Sequence, residues 1–277
     1  GSFTIQPGVV VKLAGTGTDI RIVDGSLAAN GTALVPIILT SVFDDSRLGD
    51  SNEDGYATSP GAGNWGGIYF YSGSSGNSLA NVIINYGGSD AADAKCAVVS
   101  ASTGVKIEGV RFEHNEDSVC VQGSGRPDLG GGAEGSLGGN RFEGHIDNPG
   151  NWAVQNTTGN TIYAKYNWWG TPVTNKIDAM IFDKKDNSSY GEVIYQDLVQ
   201  CVPEIPCTDN DLCTHTDTCV DGVCVGTAYA CDPPQECERP GVCNGDGTCT
   251  FLSRTGESCD DSELCTAFDT CTDDRRC

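Results

Sequence analysis

Leu79-Ala80-Asn81-Val82-Ile83-Ile84, Ile107-Glu108-Gly109-Val110-Arg111-Phe112 and Leu137-Gly138-Gly139-Asn140-Arg141-Phe142 read as three copies of one phrase. Leu79, Ile107 and Leu137 correspond, at intervals of 28 and 30 residues. A period of this length marks a solenoid or an array. Second short strands lie between the copies, at residues 96–99 and 119–121, and another runs near residues 162–166. The connecting segments are rich in Gly, Asn and Ser, which are turn residues. One such unit cannot bury its apolar face alone, whereas stacked units share a continuous core. The pattern predicts an all-β chain that folds as a parallel β-helix. A β-sandwich, the competing fold, would show antiparallel hairpins and no such interval.

Working outward, the repeat stops near Leu198. Beyond it apolar periodicity disappears and a cysteine recurs about every sixth residue. The expected division is therefore residues 1–198, a right-handed parallel β-helix with a long insertion near 42–63, and residues 199–277, a small disulfide-rich and loop-dominated domain. The second segment carries 16 acidic against 4 basic residues, and the first carries 22 against 12. It also has too few large apolar residues to build a core unaided.

The whole chain has a net charge of −22. Such a surface repels phosphate backbones, which excludes nucleic acid as a partner, and it attracts cations. No run of about 18 apolar residues occurs, so no membrane span is expected. Thirteen of the 15 cysteines follow position 200. Cysteine at that density signals disulfides and an oxidising, extracellular or cell-surface setting. The chain opens Gly1-Ser2-Phe3 without a signal peptide, as expected of a mature fragment or of a tag remnant at the first two residues.

Several phrases carry a resemblance. Phe3-Thr4-Ile5-Gln6-Pro7-Gly8-Val9-Val10-Val11-Lys12-Leu13 looks like a rung of the right-handed parallel β-helix proteins of bacterial cell surfaces. So do Val35-Pro36-Ile37-Ile38-Leu39-Thr40-Ser41, Asn64-Trp65-Gly66-Gly67-Ile68-Tyr69-Phe70 and Tyr166-Asn167-Trp168-Trp169-Gly170. The resemblance covers roughly residues 3–197 and implies a fold rather than an activity, since this fold hosts lyases, adhesins and structural proteins alike. It departs at the start. The first strand comes almost at once, without a capping element, which leaves either preceding residues or an open rung that invites strand addition.

The insertion contains Asp50-Ser51-Asn52-Glu53-Asp54-Gly55. Oxygen-bearing side chains at positions one, three and five with glycine at six match the first half of an EF-hand-type loop. Asp50, Asn52 and Asp54 are the expected ligands of a structural calcium ion. The second half departs, because position twelve is Gly61 rather than a bidentate Glu. Remaining ligands must come from a backbone carbonyl, water, or Asp44 or Asp45. The alternative is a solvated acidic turn.

From Cys207 the cysteines form three units, 207–224, 231–249 and 259–277, each C-x5-C-x5-C followed by four or five residues and a last Cys. Zinc sites show C-x2-C pairs, which are absent, so disulfides are expected. These units resemble tandem four-cysteine repeats of secreted surface proteins, which implies an extracellular interacting module. Cys96 and Cys120 sit in similar strand contexts, able to join across rungs or to remain buried thiols. An odd cysteine must remain, and Cys201 is the expected one, free or bonded to another chain.

Catalytic motifs are missing: there is no HExxH, no GxSxG and no glycine-rich phosphate loop. The cluster Glu113-His114-Asn115-Glu116-Asp117 offers carboxylates for a glycosidase or lyase, but the asparagine-threonine-aspartate and related motifs of β-helix polygalacturonases do not occur as a set. Trp65, Trp152, Trp168 and Trp169 are candidates for stacking on sugars, although sealing the core or its end is the favoured role for all four. Ile177, Met180 and Ile181 after Pro172 predict a short helix over the last rung. Together these readings predict a non-catalytic extracellular structural or adhesive protein. Self-association through β-helix ends and the cysteine-rich tail, or contact with other surface proteins, is its expected mode. A carbohydrate-binding or polysaccharide-degrading protein, with glycans as partners, is the second reading.

Overall fold

The computed structural model describes residues 1–89, 95–145, 150–199, 201–202, 207–209, 211–220, 222–246, 248–262 and 268–277. It divides the chain into two compact units, Gly1–Gln200 and Cys201–Cys277.

The first unit is a coil of short parallel strands, nearly all-β and β-helix-like. The chain visits three faces in turn, and each face is a stack of strands from successive rungs. Face one holds Ser2–Ile5, the second half of Ile20–Asn30, then Asn77–Ala80, Val105–Glu108, Asp128–Gly130, Ile162–Ala164 and Val193–Ile194. Face two holds Val10–Leu13, Ile37–Ser41, Val82–Asn85, Arg111–Glu113 and Arg141–Phe142. Face three holds the first half of Ile20–Asn30, then Ile68–Ser74, Cys96–Ser100, Asp117–Val121, Val154–Asn156 and Ile181–Phe182. Every pairing between these strands is parallel. Alternation directs Leu39, Ile84, Phe112 and Phe142 inward at one register position. Phe112 stacks on Phe142 at 5.2 Å, and Phe142 on Trp169 at 4.6 Å.

Turns between faces one and two are closed from inside by asparagine. The Asn140 amide donates to the carbonyls of Ile107 and Leu129 and accepts from the Val110 amide. Asn167 repeats the device a rung later, donating to Leu129 and Ala164 and accepting from Asn140 N. Backbone groups at these buried turns have no water to satisfy them, so the side chain does it.

The repeat alignment fails at one of its three anchor points. Leu79 pairs with Ile107 as expected. The next residue in that column is Leu129, fully buried, because Asp128 pairs with Lys106; Leu137 is 76% exposed. The Asp128 carboxylate accepts from the amides of Gly130, Gly132 and Ser136 and so ties off a loop that carries Leu137 out of the column. The predicted helix is Thr174–Asp178, with Ile177 buried. It lies within the last turns rather than over them, since Ile181–Phe182 and Val193–Ile194 resume pairing beyond it.

Among its described residues the second unit holds two antiparallel hairpins, Thr214–Val220 with Val223–Ala228, and Val242–Cys243 with Cys249–Thr250. Its disulfides are Cys207–Cys224, Cys231–Cys249 and Cys259–Cys277 within the three cysteine units. Cys213–Cys243 and Cys237–Cys271 join consecutive units. Cys201 is not the odd cysteine. It bonds Cys219, as a second cysteine of one unit bonds the third of the next. The fifteenth, Cys265, lies outside the described residues. In the first unit Cys96 and Cys120 do join across adjacent rungs. Seven disulfides suit an oxidising environment. No helix among the described residues is long and apolar enough to cross a membrane.

Candidate functional site

The three corners of the coil are unequal. Between faces two and three lie the longest connection, residues 42–67, the connections 86–95, 143–153 and 169–180 and the tight turn 114–116, while the other corners have ten-residue connections at 131–140 and 183–192. Repeat proteins concentrate binding on the face where insertions gather. This corner carries two arrangements of side chains.

The first is the acidic insertion. Asp45, Asp50 and Asp54 each bring a carboxylate oxygen within 4.8 Å of the others. Asp50 accepts from the amides of Asp54 and Gly55, at 3.2 and 2.8 Å, so the loop wraps around it. Left-handed backbone at Glu53 and Gly55 makes the turn tight enough. Asp54 accepts from the Ala57 amide and from the Thr58 amide and hydroxyl. The Thr58 hydroxyl bond is the main reason the Asp54 carboxyl is held below its usual pKa, against burial. Asp45 moves the other way. Burial raises its pKa, and the charges of Asp50 and Asp54 add to the rise.

Of the expected ligands, Asp50 and Asp54 come together, and Asp45 rather than Asp44 joins them. The Asp44 carboxylate is buried and taken by the hydroxyls of Thr40 and Ser46. Asn52 sits beside the cluster and donates its amide to Asp54 and Thr58, while its side-chain oxygen is buried without a hydrogen bond. An Asp45 oxygen is in the same state. Three carboxylates form a hard-oxygen donor set of the kind calcium takes, and Asn52 turns its NH2 group rather than its oxygen toward Asp54.

The second arrangement is a groove of about 480 Å³ on the turns that follow face two. Register places Tyr86, His114 and Gly144 at one position on successive rungs, two residues beyond Ile84, Phe112 and Phe142. All three have left-handed backbone, with φ of 63°, 56° and 94°. The Tyr86 and His114 rings stack at 5.4 Å. Glu113 and Glu143 lie alongside, each paired to the arginine two residues earlier, Arg111 and Arg141. The returning end of the acidic insertion, residues 60–62, forms the opposite wall.

The proposed carboxylate cluster does not assemble as a unit. Glu113, His114 and Asn115 line the groove, but the Asn115 amide is spent on Gly87 N and the Ile84 carbonyl. Asp117 is buried and accepts from Trp152 N and Gln155. His145 is buried against the Ser118 hydroxyl at 2.9 Å, and His215 is exposed in the second unit. Trp65, Trp168 and Trp169 are all buried, and Trp152 packs on Phe182, so the tryptophans serve the core rather than a sugar platform.

No family model, no curated protein and no solved structure matches the chain. The class it belongs to is therefore stated from its own geometry: a parallel-stranded, β-helix-like unit followed by a disulfide-rich one.

Proposed function

We propose that the chain is a non-catalytic structural or adhesive protein of the extracellular space or cell surface. Its frame is a right-handed parallel β-helix with an insertion clipped by calcium. The observation that carries this reading is the longest insertion of the coil, residues 42–67, held at one corner of a parallel stack with three of its aspartates brought together. Such an arrangement presents loops on a rigid support. Right-handedness is supported by the general rule for parallel crossover connections, which are right-handed in about 98% of cases.

Calcium is supported by the meeting of Asp45, Asp50 and Asp54. Three like charges held this close repel one another, and a divalent cation reverses the sign of that interaction. The ion would order a long insertion that otherwise costs conformational entropy. Assembly would use the coil's own mode of stacking, a rung of one copy pairing in parallel with a rung of the next as successive rungs of one chain pair here.

Negative-stain electron microscopy of the purified protein, with calcium and after chelation, tests the reading. Fibres or rods that loosen on chelation are expected. Single particles under both conditions overturn assembly, and a calorimetric titration without calcium uptake overturns the clip.

A further inference from the structure

The corner column of the groove is a stack of rings with one ring missing. Tyr86 lies on His114, 5.4 Å between centroids and 26° between planes. The next residue in the column is Gly144, where a Cβ would meet nothing within 4 Å among the described residues. Among those residues the column thus stops at the exposed His114, and the following rung supplies no third ring. Left-handed backbone ordinarily selects Gly or Asn, and a residue with a Cβ there costs about 1–2 kcal/mol. Tyr86 and His114 keep that conformation and aim two rings into the groove.

The surroundings of the open position specify the chemistry of an occupant. One side offers the flat face of an imidazole. The flanks offer the carboxylates of Glu143 and Glu113. Each is anchored by an arginine of its own rung, Glu143 by Arg141 Nε at 2.9 Å, so both are positioned acceptors. An occupant must present an apolar face to the ring and hydroxyl donors at its edge. A uronate or sulfated sugar would bring its charge against two carboxylates, in a protein of net charge −22.

We propose that the space over Gly144 binds an uncharged pyranose ring of a glycan, stacked by its C–H face on His114 and hydrogen-bonded through its hydroxyls to Glu143 and Glu113. The volume, about 480 Å³, admits a ring with its neighbours in the chain. The groups that would recognise the sugar, His114, Glu113 and Glu143, lie on the coil and not on the insertion, so the site stands or falls apart from the function proposed above.

The test uses the full chain and a panel of neutral hexasaccharides (β-glucan, mannan and galactan) with oligogalacturonate as the charged control. The readouts are the NMR shift of the His114 imidazole in the original chain and the calorimetric affinity of both chains. The companion variant is His114→Asn, which keeps a residue suited to left-handed backbone and removes the ring. At least one neutral class is expected to shift His114 in a saturable way. Loss of one stacking contact of about 1.4 kcal/mol should weaken binding about tenfold in the variant, with its melting temperature unchanged. Three results overturn the proposal: no neutral sugar shifts His114, oligogalacturonate binds in preference, or the variant binds as tightly as the original chain.

Discussion

In the solenoid unit the largest fully buried side chains are Trp65, Trp169, Phe70, Phe112 and Phe142; in the cysteine-rich unit the only buried apolar residues among those described are Cys201, Val202, Cys237 and Cys271. The first unit excludes water with rings and branched aliphatics stacked in register. The second excludes almost none, and six disulfides limit its unfolded states instead. Aspartates help by local bonds to the backbone. Asp209 accepts from the amides of Asp211 and Gly226, and its pKa is lowered first by the Asp211 amide. The difference teaches where each unit is vulnerable: one to lost volume, the other to lost covalent links.

Reduction should separate them most. The six bridges of the second unit span 17 to 34 residues. By chain entropy each contributes about 3–4 kcal/mol, against a total stability of about 5–15 kcal/mol for an ordinary domain. Treatment with a phosphine reductant should bring the amides of the hairpin Thr214–Val220 to full hydrogen exchange at the earliest time point. The strands Val82–Asn85 and Arg111–Glu113 should stay protected, since only Cys96–Cys120 is lost from their unit. Retained protection in the tail after complete reduction would contradict the comparison.

A single ring sharpens it from the other side. Phe112 is fully buried between Ile84 and Phe142, whereas Phe268 is 99% exposed. Phe112→Ala leaves a cavity and should cost about 3–5 kcal/mol in denaturant unfolding of the solenoid. Phe268→Ala should change nothing beyond about 0.5 kcal/mol. Equal effects would mean that the second unit has apolar packing of its own.

The period of the solenoid was legible because Ile84, Phe112 and Phe142 point inward at one register position, and inward positions tolerate only large apolar residues. Leu137 misled because Leu-Gly-Gly-Asn-Arg-Phe copies the phrase while Asp128 folds the intervening loop out of the coil. Spacing alone exposed Asp50 and Asp54, since alternate residues of a tight loop aim at one point. The choice of Asp45 over Asp44 was not legible. It depends on the hydroxyls of Thr40 and Ser46, which draw Asp44 away. The column Tyr86, His114, Gly144 was present in the aligned repeats, two residues past the apolar anchors, but its meaning needed the left-handed turns. Cysteine spacing announced disulfides without their partners, because the links between units join cysteines up to 34 residues apart.

The smallest effect concerns two buried titratable groups of the solenoid, a kind not found among the described residues of the cysteine-rich unit. Burial pushes the Asp117 carboxyl up to about 6, with the Trp152 amide opposing and Glu116 adding to the rise. Burial also drops His145 to about 4. Between pH 4 and 6 the folded chain holds the Asp117 proton that the unfolded chain releases, so this group makes stability fall as pH rises. His145 acts oppositely: the unfolded chain takes up a proton below pH 6.5 that the folded chain refuses, so stability falls as pH drops toward 4. The windows overlap, and in the intact protein the two slopes nearly cancel. Asp117→Asn should therefore make stability fall more steeply on acidification from pH 6.5 to 4 than in the original chain. His145→Gln, which retains an amide to meet Ser118, should make it fall less steeply or rise. Urea midpoints across that range decide it. If both variants run parallel to the original chain, the burial of these two groups is not what sets their protonation, and the solenoid interior here is wetter than its packing indicates.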